Sequence, residues 1–266
     1  MDLLHIFALA AVQGVTEFLP VGAEAHLALL ARVLPAPLDP GVVLLLNLGT
    51  VLAAAAYFRS EMMQALVGGY HLSVGRNSEN ARLAVRLFVG WVPAIAAGIA
   101  LLLLGRQIGG EMTLLWLGWT MVGFGLLVFV ADRLGMRLRR IEHMSGATAL
   151  VIGIAQAIAL VPGTGRIGVT MTALRLFGFE RADAARFALL IGVVPVLALT
   201  GWNSWLLSRA GEWHGGYDGL IAAAVSFVAS YVAIAFLMQW LRRGSLAPFA
   251  LYRVILGAGI LYVVYT

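Results

Sequence analysis

QGVTEFLPVGAEAH, residues 13–26, and PGTGR, residues 162–166, interrupt a chain that is otherwise close to continuously apolar. Each stretch contains a proline and at least one glycine in tandem with charged residues, and each is flanked on both sides by runs of Ala, Val, Leu and Ile. The flanks carry Glu17, Glu24, His26 and Arg166 toward hydrocarbon or protein interior, where an ionisable group is costly and marks a functional site by default. How these two breaks are read decides the fold.

The composition defines what surrounds them. Of 266 residues, 61% are hydrophobic and 12% charged, and the mean hydropathy is +0.93. Several runs approach the roughly 20 residues a helix needs to cross a bilayer. These features specify an all-α polytopic membrane protein read as a single membrane domain, residues 1–266. A cleaved leader is not expected, because Met1 to Ala11 has no basic n-region. Zero cysteines exclude disulfides, thiolate metal sites and a Cys nucleophile. All eighteen basic residues are Arg, which excludes a Lys nucleophile or Schiff base. The pI of about 10.1 reads as membrane topology, with no nucleic-acid partner expected.

Hydropathy and breakers predict full spans near 41–58, 82–104, 112–132, 182–208, 217–241 and 248–265. Two further apolar stretches, Leu3 to Leu34 and Gly146 to Phe177, are broken at Pro20-Val21-Gly22 and at Pro162-Gly163-Thr164-Gly165. Each is too long for one span and fits two half-helices joined by a turn, a re-entrant hairpin entering and leaving on one side. Arginine distribution tests the plan. Segments 59–86, 133–140, 175–186 and 242–243 hold thirteen Arg, against Arg32, Arg106 and Arg209 in the opposite loops. That bias requires six full spans and two hairpins, with the Arg-rich loops inside and both termini outside. Broken hairpin followed by three spans then occurs twice, as an inverted-topology repeat of about 1–140 and about 141–266, with the breaks meeting near the midplane. The alternative is that proline and glycine merely kink two long helices.

The residues at the breaks support phosphate chemistry. Gln13 and Glu17 share a helix face, and Glu17 is a candidate general base or metal ligand. Glu24 supplies a second carboxylate and His26 an imidazole able to act as acid, base or nucleophile. In the second break, Gly163 and Gly165 tolerate backbone conformations from which successive N–H groups can form an anion nest. Arg166 is placed to grip phosphate with its planar fork, and Thr164 and Thr170 add hydroxyls. Met121, Met171, Trp116 and Trp119 read as packing or interfacial belt, and Arg137, Arg139 and Arg140 as positive-inside determinants.

QGVTEFLPVGAEAH resembles the first signature of the bacterial undecaprenyl-diphosphate phosphatases of the bacitracin-resistance type. The resemblance continues with NLGTVLAAAAYFR at 47–59, VPAIAAGI at 92–99, IAQAIALVPGTGRIGVT at 154–170 and PFALYRVILGAG at 248–259, and so runs the length of the chain. It implies an enzyme of the bacterial inner membrane that hydrolyses a polyprenyl diphosphate to the monophosphate and recycles the lipid carrier for envelope polymers. Catalytic roles then fall to Glu17, His26 and Arg166, with Gln13, Gly163, Thr164, Gly165 and Thr170 toward the substrate. Mg²⁺ or Ca²⁺ would bridge carboxylate and phosphate oxygens at Glu17 and Glu24, and no organic cofactor is implied.

Two departures stand out. The family's first serine pair is replaced by Gly22 and Ala23, and the serines flanking the motif arginine by Gly165 and Ile167. A serine nucleophile therefore does not carry over. Glu24 enters where a small hydroxyl residue is usual, and pseudo-symmetry between the repeats predicts that it contacts Arg166, directly or through a bridging water. A non-hydrolytic relative that binds or transports a lipid phosphate or another solute accounts for the same departures.

Overall fold

A computed structural model describes residues 3–33, 39–104, 113–136, 138–211 and 216–266. Among them are eleven α-helices: α1 Leu3–Phe18, α2 Ala23–Val33, α3 Pro40–Tyr57, α4 Arg59–Ser73, α5 Glu79–Leu103, α6 Leu114–Leu134, α7 Gly146–Ile158, α8 Arg166–Leu176, α9 Arg181–Ala210, α10 Gly216–Leu241 and α11 Ala247–Tyr265. The described residues contain no β-strand, only a parallel bridge between Arg139 and Phe179. Six helices (α3, α5, α6, α9, α10 and α11) are long and apolar enough to cross a membrane. They coincide with the six predicted spans to within a few residues. Arg106, Arg137 and His214 lie outside the described residues.

The helix starts follow from local chemistry. Asp39 accepts hydrogen bonds from the N–H groups of Gly41 and Val42 ahead of Pro40 at the first position of α3. Ser78, Thr113 and Ser145 cap α5, α6 and α7 through their hydroxyls. Each satisfies an N–H that would otherwise be orphaned.

Both broken stretches are helix–turn–helix units. Helix α1 ends at Phe18 and α2 begins at Ala23, while α7 ends at Ile158 and α8 begins at Arg166. Gly22, Gly163 and Gly165 adopt positive φ of 84°, 83° and 73°. The turns meet: a Cβ placed on Gly165 would lie 3.5 Å from the Gly22 Cα. Continuous kinked helices are thereby excluded.

Helix α9 is the hub. Its first half is buried from Ala184 to Val193 except at Arg186, and α3, α5, α8 and α10 all pack on it. Elsewhere backbones approach through small residues, as membrane helices do when no hydrophobic force separates protein from lipid. A Cβ on Gly49 of α3 would sit 2.2 Å from the Ala223 carbonyl of α10, and one on Gly153 of α7 would sit 2.4 Å from the Gly90 carbonyl of α5.

Two expectations need correction. The segment 59–86 is not simply a loop, because α4 occupies 59–73, packs on α5, and is tied to α9 by the Glu61–Arg186 ion pair of 2.6 Å. Arg175 is likewise not a loop charge. It is fully buried and shares Asp132 with Arg181.

Candidate active site

The last turn of α1, the first turns of α2 and α8, and the middle of α9 and α11 converge around the two turns. Arg166, the first residue of α8, gives its Nη2 to Glu17 Oε1 at 2.8 Å, and both side chains retain partial exposure, 15% and 21%. Gly192 of α9 makes this possible. A Cβ there would stand 1.5 Å from Arg166 Nη1, so any larger residue expels the guanidinium. Gln13, one turn before Glu17, donates to Glu17 Oε2 at 3.3 Å and to Asn47 Oδ1 of α3 at 3.2 Å.

The ion pair stands at one end of a cavity of about 510 Å³. Glu17, Glu24, Gln156 and Arg166 form its polar end, and α5 from Ala94 to Leu103 and α9 from Pro195 to Trp202 form apolar walls. Pro195 has no N–H, so the Ile191 carbonyl loses its intrahelical donor, and Gln156 Nε2 supplies one at 3.3 Å. A void of about 20 Å³ lies between the turns, bordered by Glu17, Gly22, Glu24, Gly165 and Arg166. That is room for a single water.

Behind the turns lies Arg253 of α11, fully buried. It donates Nη2 to the Gly163 carbonyl at 3.0 Å, while its Nε and Nη1 have no partner. Gly165 leaves it room, since a Cβ there would lie 2.9 Å from Nη1. Of the buried side-chain polar atoms without a hydrogen bond among the described residues, five cluster here: Gln13 Oε1, Glu24 Oε2, Gln156 Oε1, and Arg253 Nε and Nη1. Each orphan costs about 1–3 kcal/mol. Such a concentration calls for an explanation, and a polar occupant that completes the bonds provides one. The N-terminus of α8 adds to it, because its N-cap Gly165 offers no side-chain bond to the first N–H groups.

Several sequence expectations are redirected. The direct Glu24–Arg166 contact does not form, because Arg166 is taken by Glu17 and Glu24 Oε2 is left without a partner. Matched positions at the two breaks do not by themselves aim the side chains at one another. His26 borders neither the cavity nor the small void. Its Nδ1 contacts the Gly22 carbonyl at 2.8 Å, its Nε2 the Tyr252 hydroxyl at 2.6 Å, and its ring stacks on Tyr252. Thr164 hydrogen-bonds to the Val161 carbonyl and Thr170 to the Arg166 carbonyl. Their hydroxyls serve the backbone of the second turn and of α8. Gly163 does the same from the other side, lying so close to Thr120 of α6 that a Cβ would overlap its hydroxyl. Met121 and Met171 are fully buried packing residues, as expected. Trp116 also fastens the second turn, donating Nε1 to the Pro162 carbonyl at 3.1 Å.

Asn47, Gly192 and Arg253 were not singled out from the sequence. Asn47 and Arg253 are polar residues inside apolar spans, a signal that was available. A helical glycine among many carries none.

The family model described as bacitracin resistance protein BacA matches residues 6–259. The chain is 41% identical over 272 residues to undecaprenyl-diphosphatase 1 of Rhodospirillum rubrum, covering 100% of this chain and 96% of that protein. It is 40% identical over 266 residues to the undecaprenyl-diphosphatase of Maricaulis maris, covering 98% of each. With the undecaprenyl-diphosphatase of Roseobacter denitrificans it shares 36% identity over 271 residues, the whole of both chains.

Proposed function

We infer what this chain does from its membership: it belongs to the bacitracin resistance protein BacA family. It is an integral membrane phosphatase that hydrolyses undecaprenyl diphosphate to the monophosphate, returning the lipid carrier to envelope synthesis. One observation ties that activity to the cavity. A half-buried carboxylate–guanidinium pair stands at the head of an apolar chamber whose lining also includes Glu24 and Gln156, each with an unsatisfied oxygen. An amphiphile with an anionic head and a hydrocarbon tail has the complementary chemistry.

In our reading Arg166 exchanges partners. In the free protein it binds Glu17; when the diphosphate enters, the terminal phosphate takes the guanidinium in a bidentate grip. The exchange releases Glu17 from its counter-charge. Glu17 then accepts a proton from a water in the void between the turns while that water's oxygen attacks the terminal phosphorus. The bond from phosphorus to the bridging oxygen breaks, leaving the prenyl monophosphate and inorganic phosphate. Arg166, the first N–H groups of α8 and the buried charge of Arg253 stabilise the negative charge that develops. No serine or histidine nucleophile is required, in keeping with Gly22, Ala23, Gly165 and Ile167 at the family's serine positions. His26 positions the start of α2 through Gly22 and Tyr252.

Among the described residues no cluster of three or more His, Asp or Glu could hold a metal by itself. Glu24, with its unpartnered Oε2, and Glu17 fit Mg²⁺ or Ca²⁺ when phosphate oxygens and waters complete the shell. Such an ion would supply Lewis-acid charge neutralisation.

The two turns are read as tips of re-entrant hairpins in an inverted repeat. Helix breaks recur at matched places, and the packing of α1 on α10 is mirrored by that of α7 on α5. Six spans and two hairpins put both termini on one side of the inner membrane, the outside by the Arg distribution. Phosphate release from a polyprenyl diphosphate by the purified protein, with and without chelator, tests the function. Turnover should fall about 10²- to 10⁴-fold in Glu17→Gln. Well-folded protein that binds the lipid saturably without turnover overturns the hydrolytic reading in favour of a binder or transporter.

A further inference from the structure

A second cavity, of about 460 Å³, lies at the opposite ends of the helices that build the first. Helix α5 lines it with Ala81 to Arg86, whereas its residues from Ala94 onward face the active-site chamber. Helix α7 contributes its first residue, Gly146, and its cap, Ser145, while Gln156 near its other end lines the chamber. At 1.5 Å per residue the two ends of α7 are about 18 Å apart. The second cavity is therefore separate from the phosphatase site.

Its lining has one sign of charge. Arg76, Arg82 and Arg86 border it, and no Asp or Glu does among the described residues. Arg76 is exposed and makes no side-chain hydrogen bond or ion pair among the described residues. Arg82 has only a loose 3.6 Å contact with the exposed Glu79. Arg86 donates Nη2 to the Glu142 carbonyl at 2.9 Å, which anchors it on the wall. The N-terminus of the 13-residue α7 opens at the same place, and nothing lies within 4 Å of where a Gly146 Cβ would be. Three guanidinium groups and a helix N-terminus around one recess make an oxyanion site. Leu72 and Val85, 46% and 38% exposed, also line it, and the exposed Val74 is nearby. Apolar surface beside clustered arginines suits a phosphate that carries acyl chains.

We propose that Arg76, Arg82 and Arg86, with the start of α7, form a phosphate-binding site for the headgroup of an anionic phospholipid, distinct from the active site. The chemistry shared with inorganic phosphate is the oxyanion; the apolar rim favours the lipid. The inference does not depend on the phosphatase reading.

The test compares retention of phosphatidylglycerol, phosphatidylcholine and inorganic phosphate by the purified full chain, using native mass spectrometry. The variants are Arg76→Gln/Arg82→Gln, which spares the Arg86 anchor, and Asn77→Asp, which adds a negative charge to the lining without removing a packed group. Phosphatidylglycerol should be retained over phosphatidylcholine. Retention should weaken roughly fivefold per arginine removed, about 25-fold for the pair, with hydrolysis of polyprenyl diphosphate unchanged. Phosphate binding lost in the same variants without a lipid preference supports the site with free phosphate as its ligand. Phosphatidylglycerol retention unaffected by both variants, or no anion held better than phosphatidylcholine, overturns it.

Discussion

Among the described residues, two ion clusters inside the helix bundle are built on opposite principles. At the junction of α6, α8 and α9, Asp132 accepts from Arg175 Nε at 3.2 Å and from Arg181 Nε and Nη2 at 2.7 Å each, and from the Leu246 N–H at 3.1 Å. Arg175 also donates to the carbonyls of Asp132, Gly135 and Phe179. Both Asp132 carboxylate oxygens are engaged, and the site is sealed, with Asp132 3% exposed and Arg175 0%. At the turns, by contrast, Arg166 holds Glu17 through one short contact beside a cavity, and Glu24 and Arg253 keep orphaned atoms. A saturated cluster has nothing left to offer a ligand and holds helix ends together. An unsaturated one can exchange partners. Saturation, rather than charge or burial alone, separates the structural cluster from the one proposed as the site.

The comparison breaks most visibly at Asp132. Asp132→Ala strands Arg175 in the interior and should cost about 3–5 kcal/mol of stability, read as lost folded yield and an earlier melting transition in detergent. If this variant melts like wild type, the cluster is not structural. Arg166→Gln should do the reverse, leaving melting nearly unchanged while lowering turnover about 10²- to 10³-fold, the usual effect of removing one donor to developing charge. Gly192→Ala sharpens the argument, because it alters no charge. The added methyl group displaces the Arg166 guanidinium, and a misplacement near 1 Å costs on the order of 10²-fold in kcat; turnover equal to wild type would show that Arg166 acts from another position. The smallest effect belongs to Tyr252→Phe, which removes one hydrogen bond to His26 worth about 0.5–1.5 kcal/mol. Turnover should drop by no more than about tenfold. A loss as large as that of Arg166→Gln would return His26 to the chemistry.

Much of the fold was legible because membrane insertion acts on a local property. Ala247 to Tyr265, for example, is an apolar run closed by polar flanks, and its ends could be placed within a residue. The breaks at Pro20 and Pro162 are equally readable because each proline is followed within three residues by glycine that takes positive φ; a proline alone does not suffice, since Pro93 and Pro195 stand inside α5 and α9. Helix α4 is not legible in the sequence because its mixed composition, RSEMMQALVGGYHLS, lacks a span's hydropathy. The burial of Arg175 is not legible either, because a sequence does not say which arginines reach solvent.

The candidate site was legible as a set of residue types and less so as a set of partners. The matched breaks bring Glu17 and Arg166 to one place, but the direct contact of Arg166 is with Glu17 and not with Glu24, which pseudo-symmetry favours. Arg253 passed as part of a motif, although a lone guanidinium in an apolar helix is costly without a reason.

From the sequence alone came the membrane class, the six spans, the two breaks and the family, because these depend on composition, motif and backbone preference along short segments. The tertiary structure alone decided which carboxylate Arg166 holds, that His26 turns to Tyr252, that Gly192 leaves space for a guanidinium, and that the Asp132 cluster is saturated. Those outcomes depend on how each helix is rotated about its axis and on atoms brought within a few ångströms from distant parts of the chain, which hydropathy along the sequence does not encode.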